Sequence, residues 1–336
     1  MKIGFFESNN ETEINFFKTR LSEHKLTFSN EPLTSENLPD DKSLEIAAIF
    51  VNCQVDKNVI NSLPNLKAII VRATGFDNVD IAFCKQKNII VSNVPAYGSH
   101  TVAEFTFALM LNVTRKIYTA INRVKIGRIF SPEGLKGLDL FGKTLGVIGT
   151  GKIGTNVIKI AKGFGMNVLA FDAHPDQTMA GGLDFKYLTL EEVLRLSDII
   201  TIHVPYNNKT HHLLNSTNLP LIKKGSILIN TSRGAVLETD TLFRLLSNGH
   251  LSGAGLDVLE EEDELKEEVE LLSRNAIPED KYKEILENHM LINMPQVIIT
   301  PHMAFFTKEA IASIRKTTLE NINAFIKGIP LNQVQG

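Results

Sequence analysis

The chain has 336 residues, 43% of them hydrophobic and 22% charged, with a formal net charge of −3. That length allows two domains with ample core, and a weakly negative chain without a long basic run gives nucleic acid or an anionic membrane surface nothing to hold. No apolar run approaches the roughly 18 residues of a membrane span, and the opening Met1-Lys-Ile-Gly-Phe-Phe-Glu7 is too short and too soon acidic for a signal peptide.

Residues 2–6 read as a buried strand, and 11–24 follow with helix-like apolar spacing. Short β-like runs at 47–51, 67–71 and 88–91, with helical patterns between them, predict a parallel sheet covered by helices. Cys53 and Cys84 lack any metal or redox spacing and read as buried small hydrophobes of a reducing compartment, so the expected location is the cytoplasm. Arg72-Ala-Thr-Gly-Phe-Asp-Asn-Val-Asp80 is a polar loop after a strand, at the edge where open α/β sheets bind ligands. Asn93-Val-Pro-Ala-Tyr97-Gly-Ser-His100 breaks the pattern, and Thr101-Val-Ala-Glu104 has the form of a capping box opening a helix over 102–123. Phe105, Phe107, Leu109, Met110 and Val113 make that helix apolar on nearly every side, so it must be buried all round. Burial within the subunit or against a second subunit would satisfy it; this reading favours the partner.

The centre of the chain is Leu145-Gly-Val-Ile-Gly149-Thr-Gly151-Lys-Ile-Gly154. An apolar run short enough for one buried strand ends in glycines, and a helical pattern over 155–164 follows. Gly149 permits a tight turn, Gly151 lets the backbone approach a pyrophosphate, and Gly154 allows close helix–strand packing. The helix start offers unpaired N–H groups and a positive dipole end to phosphate. A second strand over 167–171 ends in Asp172, 18 residues after Gly154, where an acidic residue holds the adenosine ribose hydroxyls of NAD. No arginine follows in Ala173-His-Pro175 to favour a 2′-phosphate.

Further β-like runs come at 199–204, 226–230, 253–257 and 296–300, with helical stretches at 189–196, 215–222 and 239–248, and a last helix over 307–327. The acidic run Glu260-Glu-Glu-Asp-Glu264 is read mostly as a solvated face. Four polar clusters directly follow the strands: His203-Val-Pro205, Asn230-Thr-Ser-Arg233, Asp257 with Glu262, and Pro301-His302. If those strands are parallel, all four lie on the edge that carries Gly149–Gly154. An arginine, a carboxylate and a histidine from three loops suit reduction of an anionic carbonyl compound. Arginine offers a bidentate fork to a carboxylate, histidine passes the alcohol proton, and a carboxylate beside the histidine favours its charged form and fixes its orientation. His100, His203, His211 and His212 have no partner at metal-ligand spacing and read as structural, with no metal site expected. Ser232 lacks a G-x-S-x-G setting.

At these residues the chain resembles the D-isomer-specific 2-hydroxyacid dehydrogenases and, within them, the D-lactate dehydrogenases. The resemblance covers nearly the whole chain through Gly75-Phe-Asp-Asn-Val-Asp80, Val94-Pro-Ala-Tyr97, Gly149–Gly154 with Asp172, His203-Val-Pro205, Asn230-Thr-Ser-Arg-Gly234, Gly255-Leu-Asp-Val258 and Thr300-Pro-His302. It implies an α/β fold of two Rossmann-like domains with the active site in the cleft between them. These are a flavodoxin-like substrate domain (1–99 plus 301–336) and a doubly wound NAD-binding domain (100–300). It also implies hydride transfer between NAD and a small 2-keto or D-2-hydroxy acid, pyruvate and D-lactate above all, a bulkier 2-keto acid being the alternative. A homodimer joined through the NAD-binding domains is implied as well.

Carried over residue by residue, Arg233 binds the substrate carboxylate and polarises its carbonyl, His302 is the acid/base, and Glu262, five residues after Asp257, is its partner. Glu260, Glu261, Asp263 and Glu264 could compete on chemistry alone. Tyr97 matches a substrate-pocket tyrosine, Phe305 a pocket wall, and the backbone of Thr74, Gly75 and Phe76 a carboxylate contact. Lys152, Ile153, Val204, Pro205, Thr210, Thr231, Ser232, Arg233 and Asp257 match positions lining the NAD site, beside Gly149, Gly151, Gly154 and Asp172. Many family members follow the catalytic glutamate with proline and a short connection; here Asp263 follows and about 35 residues precede the last strand, as in D-lactate dehydrogenases. Formate dehydrogenases carry glutamine where Glu262 stands. A dinucleotide-sensing corepressor of this fold would retain the same residues, but no peptide- or DNA-binding extension is evident.

Overall fold

Apolar runs of three to five residues, buried on both faces, form parallel strands in two separate sheets. The computed structural model describes residues 1–260 and 289–334. In the first sheet, β1 (Lys2–Phe5), β2 (Lys25–Phe28), β3 (Ile46–Ile49), β4 (Ala68–Val71) and β5 (Ile90–Ser92) lie in the order β2-β1-β3-β4-β5, parallel throughout. That is the flavodoxin-like order. The central strands β3 and β4, Ile-Ala-Ala-Ile and Ala-Ile-Ile-Val, are buried at every position. The edge strand β2, Lys-Leu-Thr-Phe, has no fully buried residue, and its weak pattern left it unread in the sequence. One face is covered by α1 (Glu11–Arg20) and the C-terminal helix α10 (Lys308–Ile326), whose Phe17 and Ile322 pack with Ile3, Phe5, Ile46 and Ile70. Because α10 returns to this sheet, the first compact unit is discontinuous: Met1–Tyr97 with Thr307–Gly336. The second unit is Gly98–Phe306.

The second unit is built on a seven-stranded sheet of β6 (Thr144–Ile148), β7 (Asn167–Phe171), β8 (Lys186–Tyr187), β9 (Ile199–Ile202), β10 (Ile227–Asn230), β11 (Gly253–Leu256) and β12 (Val297–Ile299). The order is β12-β11-β10-β9-β6-β7-β8, again parallel throughout. The chain runs outward from β6 to β8, then crosses to β9 on the other side of β6. The gap between β6 and β9 is therefore the topological switch point where doubly wound sheets bind nucleotides. Register sets what lies there. Ile148 pairs with Phe171 and Ile202, Ile202 with Asn230, Asn230 with Leu256, and Leu256 with Ile299. The loops that start at Gly149, Asp172, His203, Thr231, Asp257 and Thr300 thus leave the sheet in one row.

The helix after Tyr97 departs from the sequence reading in three ways. It starts earlier, as α4 (Ser99–Arg115), with Gly98 at the N-cap and no side-chain cap, so Thr101 and Glu104 lie within the helix and form no capping box. It also ends earlier, because Lys116 takes a left-handed φ of 53° and a second helix, α5 (Ile117–Lys125), begins. Finally, its apolar faces are spent inside the subunit. Phe107, Leu109 and Met110 share a core with Leu145 and Val147 of β6 and with Val157, Ile158 and Ala161 of α6 (Lys152–Gly163). Leu109 and Val113 also press against β11, whose Gly253 and Gly255 have no room for a Cβ on that side. Burial against a partner is therefore not what α4 requires.

A run of exposed apolar residues belongs instead to α5 and the chain beyond it. Ile117, Ile121, Val124, Ile126, Ile129 and Phe141 are exposed, and Phe130 is 95% exposed. The helix expected over 215–222 is reduced to a 3₁₀ turn, Leu219–Leu221, because Pro220 removes a backbone donor and the Asn215 and Asn218 side chains bond the local backbone instead. Helix α7 (Gln177–Leu183), with two glycines, was not read from the sequence. Helices α8 (Leu190–Leu196) and α9 (Thr239–Ser247) match expectation, α8 behind a genuine capping box of Thr189 and Glu192.

Phe107 is 4% exposed and its ring stacks on that of Phe164 at 5.2 Å. Phe107→Ala should therefore cost about 3–5 kcal/mol of unfolding free energy, the usual loss for a core aromatic. Denaturant unfolding measures this; a change within about 0.5 kcal/mol, as at surface sites, would return the residue to a surface role.

Candidate active site

The turn after β6 is shaped by its glycines for two different reasons. Gly149 has φ +95°, and an added Cβ would lie 2.8 Å from the His203 backbone; at Gly154 it would lie 2.0 Å from the Gly149 carbonyl oxygen. Protein packing therefore requires both. A Cβ at Gly151 would meet no atom within 4 Å. Its bare backbone borders open space at the start of α6, where Lys152 and Ile153 follow an N-cap without a side-chain hydrogen bond. A helix N-terminus left in that state is suited to an anion such as a pyrophosphate.

Asp172 follows β7 in the same row. Its Oδ2 accepts from the Thr150 N–H at 2.7 Å and the Thr150 hydroxyl at 2.9 Å, and its Oδ1 from the His174 N–H at 2.9 Å. Burial alone would raise this carboxyl, but the N–H groups of Thr150 and His174 and the Thr150 hydroxyl outweigh it and hold it below the ordinary aspartate value. A carboxylate only accepts, so the Thr150 hydroxyl donates to Asp172 and accepts from the Tyr187 hydroxyl at 2.8 Å. Neither Thr150 nor Tyr187 was singled out in the sequence. Thr150 is a variable position inside the glycine motif, and Tyr187 ends a strand two residues long.

The remaining loops are each tied down by a polar side chain. After β9, the Thr210 hydroxyl donates to the Pro205 carbonyl at 2.7 Å and so closes the loop that carries Val204 and Pro205. His203 lies beneath it, with Nε2 2.9 Å from the Thr201 hydroxyl and Nδ1 sealed from solvent. Burial pushes its pKa down to about 3, so it stays neutral at physiological pH and cannot serve as a proton donor there. After β10, buried Asn230 accepts from the Ser232 N–H and hydroxyl and donates to the Arg233 carbonyl, which sets the turn. Thr231 donates to the Thr106 hydroxyl of α4, itself committed to the Val102 carbonyl. Arg233 is half-buried, with Nη1 2.9 Å from the Ser232 carbonyl.

Asp257, 1% exposed, organises the histidine loop. Its carboxylate accepts from the Thr300 hydroxyl at 2.5 Å and from the N–H groups of Met303 at 3.0 Å and Ala304 at 2.8 Å, while its carbonyl accepts from the His302 N–H at 2.9 Å. Burial raises its pKa, with those hydrogen bonds opposing. These bonds hold His302 at a left-handed φ of 50°, half-buried, its ring edge-on to Phe305 at 6.5 Å. Asp257 thus directs its carboxylate at the loop bearing His302 rather than into open space.

Among the acidic residues after β11, Glu260 accepts from His212 Nε2 at 2.6 Å and from the Thr239 hydroxyl at 3.0 Å. That ties a carboxylate the sequence had left as a competitor for the partner role. Glu262 lies outside the described residues, as do Glu261, Asp263 and Glu264.

In the first unit, the loop after β4 is fixed from both sides. The Thr74 hydroxyl donates to the Val94 carbonyl at 2.9 Å, and Asn93 donates to the Thr74 carbonyl at 2.7 Å. Phe76 is exposed beside Gly75, and Tyr97 is half-buried at the end of that unit's first segment. Among the described residues no helix is long and apolar enough to cross a membrane, and no group of three His, Cys, Asp or Glu side chains is placed to hold a metal ion.

The family model for the NAD-binding domain of the D-isomer-specific 2-hydroxyacid dehydrogenases matches residues 107–304. The chain belongs to that family. It is 39% identical to a 2-hydroxyacid dehydrogenase homolog of Zymomonas mobilis, over 96% of each chain. It is 37% identical to the D-lactate dehydrogenase of Escherichia coli, over 90% of each chain. The crystal structure of the Aquifex aeolicus D-lactate dehydrogenase complexed with NAD and lactic acid superposes with a TM-score of 0.89 at 33% identity, covering 99% of each chain.

The cofactor of this 2-hydroxyacid dehydrogenase is NAD, and the residues present suit it. The open backbone at Gly151 and the uncapped start of α6 fit the pyrophosphate, and ionised Asp172 fits a ribose diol. Asp172→Ala should narrow the kcat/KM preference for NADH over NADPH by about tenfold or more, the usual weight of a hydrogen bond to a charged group. Steady-state kinetics with both nucleotides test this; a wild type that uses them equally would remove Asp172 from cofactor selection.

Proposed function

We propose that this family member is a cytosolic, homodimeric, NAD-dependent D-lactate dehydrogenase that reduces pyruvate to D-lactate reversibly. The observation that carries the reading is the arrangement at one sheet edge. Asp257 holds the His302 turn, and Arg233 leaves β10 from the neighbouring position of the same row. The likeness to D-lactate dehydrogenases over nine-tenths or more of the chain supports pyruvate as the substrate.

Bound NADH supplies the hydride that reaches the keto carbon. Arg233 pairs its planar guanidinium with the substrate carboxylate and draws electron density from the carbonyl oxygen. His302 gives its proton to that oxygen as the alcohol forms and takes it back in the oxidative direction. Glu262 is assigned as the partner that orients the imidazole. Thr74, Gly75 and Phe76 are assigned backbone contacts to the carboxylate, and Tyr97 and Phe305 the pocket wall. Pyruvate, NADH and a proton thus give D-lactate and NAD⁺. The residues assigned to the two domains run 1–99 with 301–336 and 100–300.

A panel of 2-keto acids with NADH and chiral analysis of the products tests the substrate. Pyruvate should give D-lactate with the highest kcat/KM. L-Lactate, or no turnover of any keto acid, would sink the proposal, and a bulkier favourite would move the enzyme to another substrate in the same family. His302→Ala should lower kcat by about 10²–10⁴-fold, the worth of a positioned acid/base, with NADH binding spared. Near-normal turnover in that variant would remove His302 from the mechanism.

The dimer reading rests on α5. Its Ile117, Ile121 and Val124 form one exposed apolar face at i, i+4 and i+7, and the helix contains no buried residue. Exposed apolar surface of this kind marks association sites. Ile121→Asp and Phe130→Asp should place a charge in that interface and give monomers by sedimentation, whereas a wild type that is monomeric at micromolar concentration refutes the dimer.

A further inference from the structure

Helix α5 has a second face. A cavity of about 240 Å³ lies where Ser252 and Gln296 lead into β11 and β12, at the amino ends of the strands and so at the opposite edge of the sheet from Gly149–Gly154. Its wall includes Asn112 of α4, Lys116 at the junction of the two helices, and Thr119 and Arg123 along α5. Positions 119 and 123 share one side of the helix, about a quarter turn or more away from the apolar 117, 121 and 124. A partner seated on the apolar face therefore leaves this one available.

Two cations face the cavity, and no aspartate or glutamate among the described residues lines it. Each cation is held by the rim. Lys116 Nζ donates to the Gly134 carbonyl at 3.1 Å, and Arg123 Nη1 to the Ser131 carbonyl at 3.0 Å and to that of Glu133. These bonds engage one of the three ammonium donors and one guanidinium nitrogen, leaving further N–H groups to offer. Between 115 and 136 stand Arg115, Lys116, Arg123, Lys125, Arg128 and Lys136 against Glu133 alone, in a chain whose net charge is −3. Lys116 and Arg123 of this basic segment reach the hollow itself, and a concave site lined by positive charge alone selects anions. The hollow has room for a small anion.

We propose that this cavity binds a small multivalent oxyanion, a phosphate or a di- or tricarboxylate. Lys116 and Arg123 supply the charge, and Asn112, Thr119 and Ser252 supply polar contacts. An anion there relieves the repulsion between the two cations and ties α4, α5 and the 131–134 rim to the start of β11. Occupancy therefore stabilises the helix that also presents the apolar face.

Calorimetry and thermal unfolding of the full chain with saturating NADH test this, with inorganic phosphate and citrate as probes. Sodium chloride and acetate at matched ionic strength separate binding from screening. At least one multivalent anion should bind saturably, one per chain, and raise the midpoint of unfolding. Phosphate alone or citrate alone doing so assigns the phosphoryl or the polycarboxylate class. Lys116→Gln/Arg123→Gln should raise its Kd about tenfold or more while NADH affinity stays unchanged. If that double variant does not fold, Ser252→Asp, which adds a carboxylate to the cavity, should abolish the saturable binding instead. Stabilisation no greater than in chloride, or binding that survives in the folded double variant or in Ser252→Asp, overturns the proposal.

Discussion

A parallel sheet in register delivers the first residue of every following loop to the same edge, and the chemistry of this chain depends on that constraint. Ile148, Ile202, Asn230, Leu256 and Ile299 are linked through successive strand pairings. The glycine turn, the arginine and the histidine, separated by up to 153 residues between Gly149 and His302, therefore all follow strands at one edge of the sheet. The central strands are short and apolar, so each is specified by about four buried residues. The polar work begins at the next residue.

Those polar residues are held by buried groups to which no hydride or proton transfer is assigned. Asp257 is the clearest case. An almost fully buried carboxylate is costly, and its raised pKa expresses that cost. Three donors from 300–304 offset it, and in doing so they fix a turn whose histidine has a left-handed backbone. Asn230 does the same for the arginine turn and Thr150 for Asp172. Asp257 and Asn230 satisfy backbone groups of their loops, whereas Thr150 holds the Asp172 carboxylate itself.

Helices α4 and α5 divide a role that the sequence had given to one helix. A left-handed Lys116 breaks the run. The segment before it is consumed by the core, against the glycines of β11, and the segment after it keeps an apolar face and a basic face at the surface. Apolar residues at helical spacing show that a face must be covered. They do not show what covers it.

The sequence by itself determined the parallel α/β architecture, the nucleotide turn, the acid after β7 and the polar cluster at each strand end. These are local facts: an apolar run of a few residues buried on both faces, and a glycine where no Cβ fits. The family motifs determined as much about chemistry, because they sit at those same strand ends. Tertiary structure alone decided what ties the carboxylates of Asp257 and Glu260. Asp257 meets Thr300 and Glu260 meets His212 across separations of 43 and 48 residues, and no periodicity carries such a pairing. It also decided that Tyr187 supports Thr150, that His203 stays neutral, and that α4 spends its apolar surface within the subunit. Burial and hydrogen-bond partnership depend on neighbours distant along the chain, which only the packed fold brings into contact.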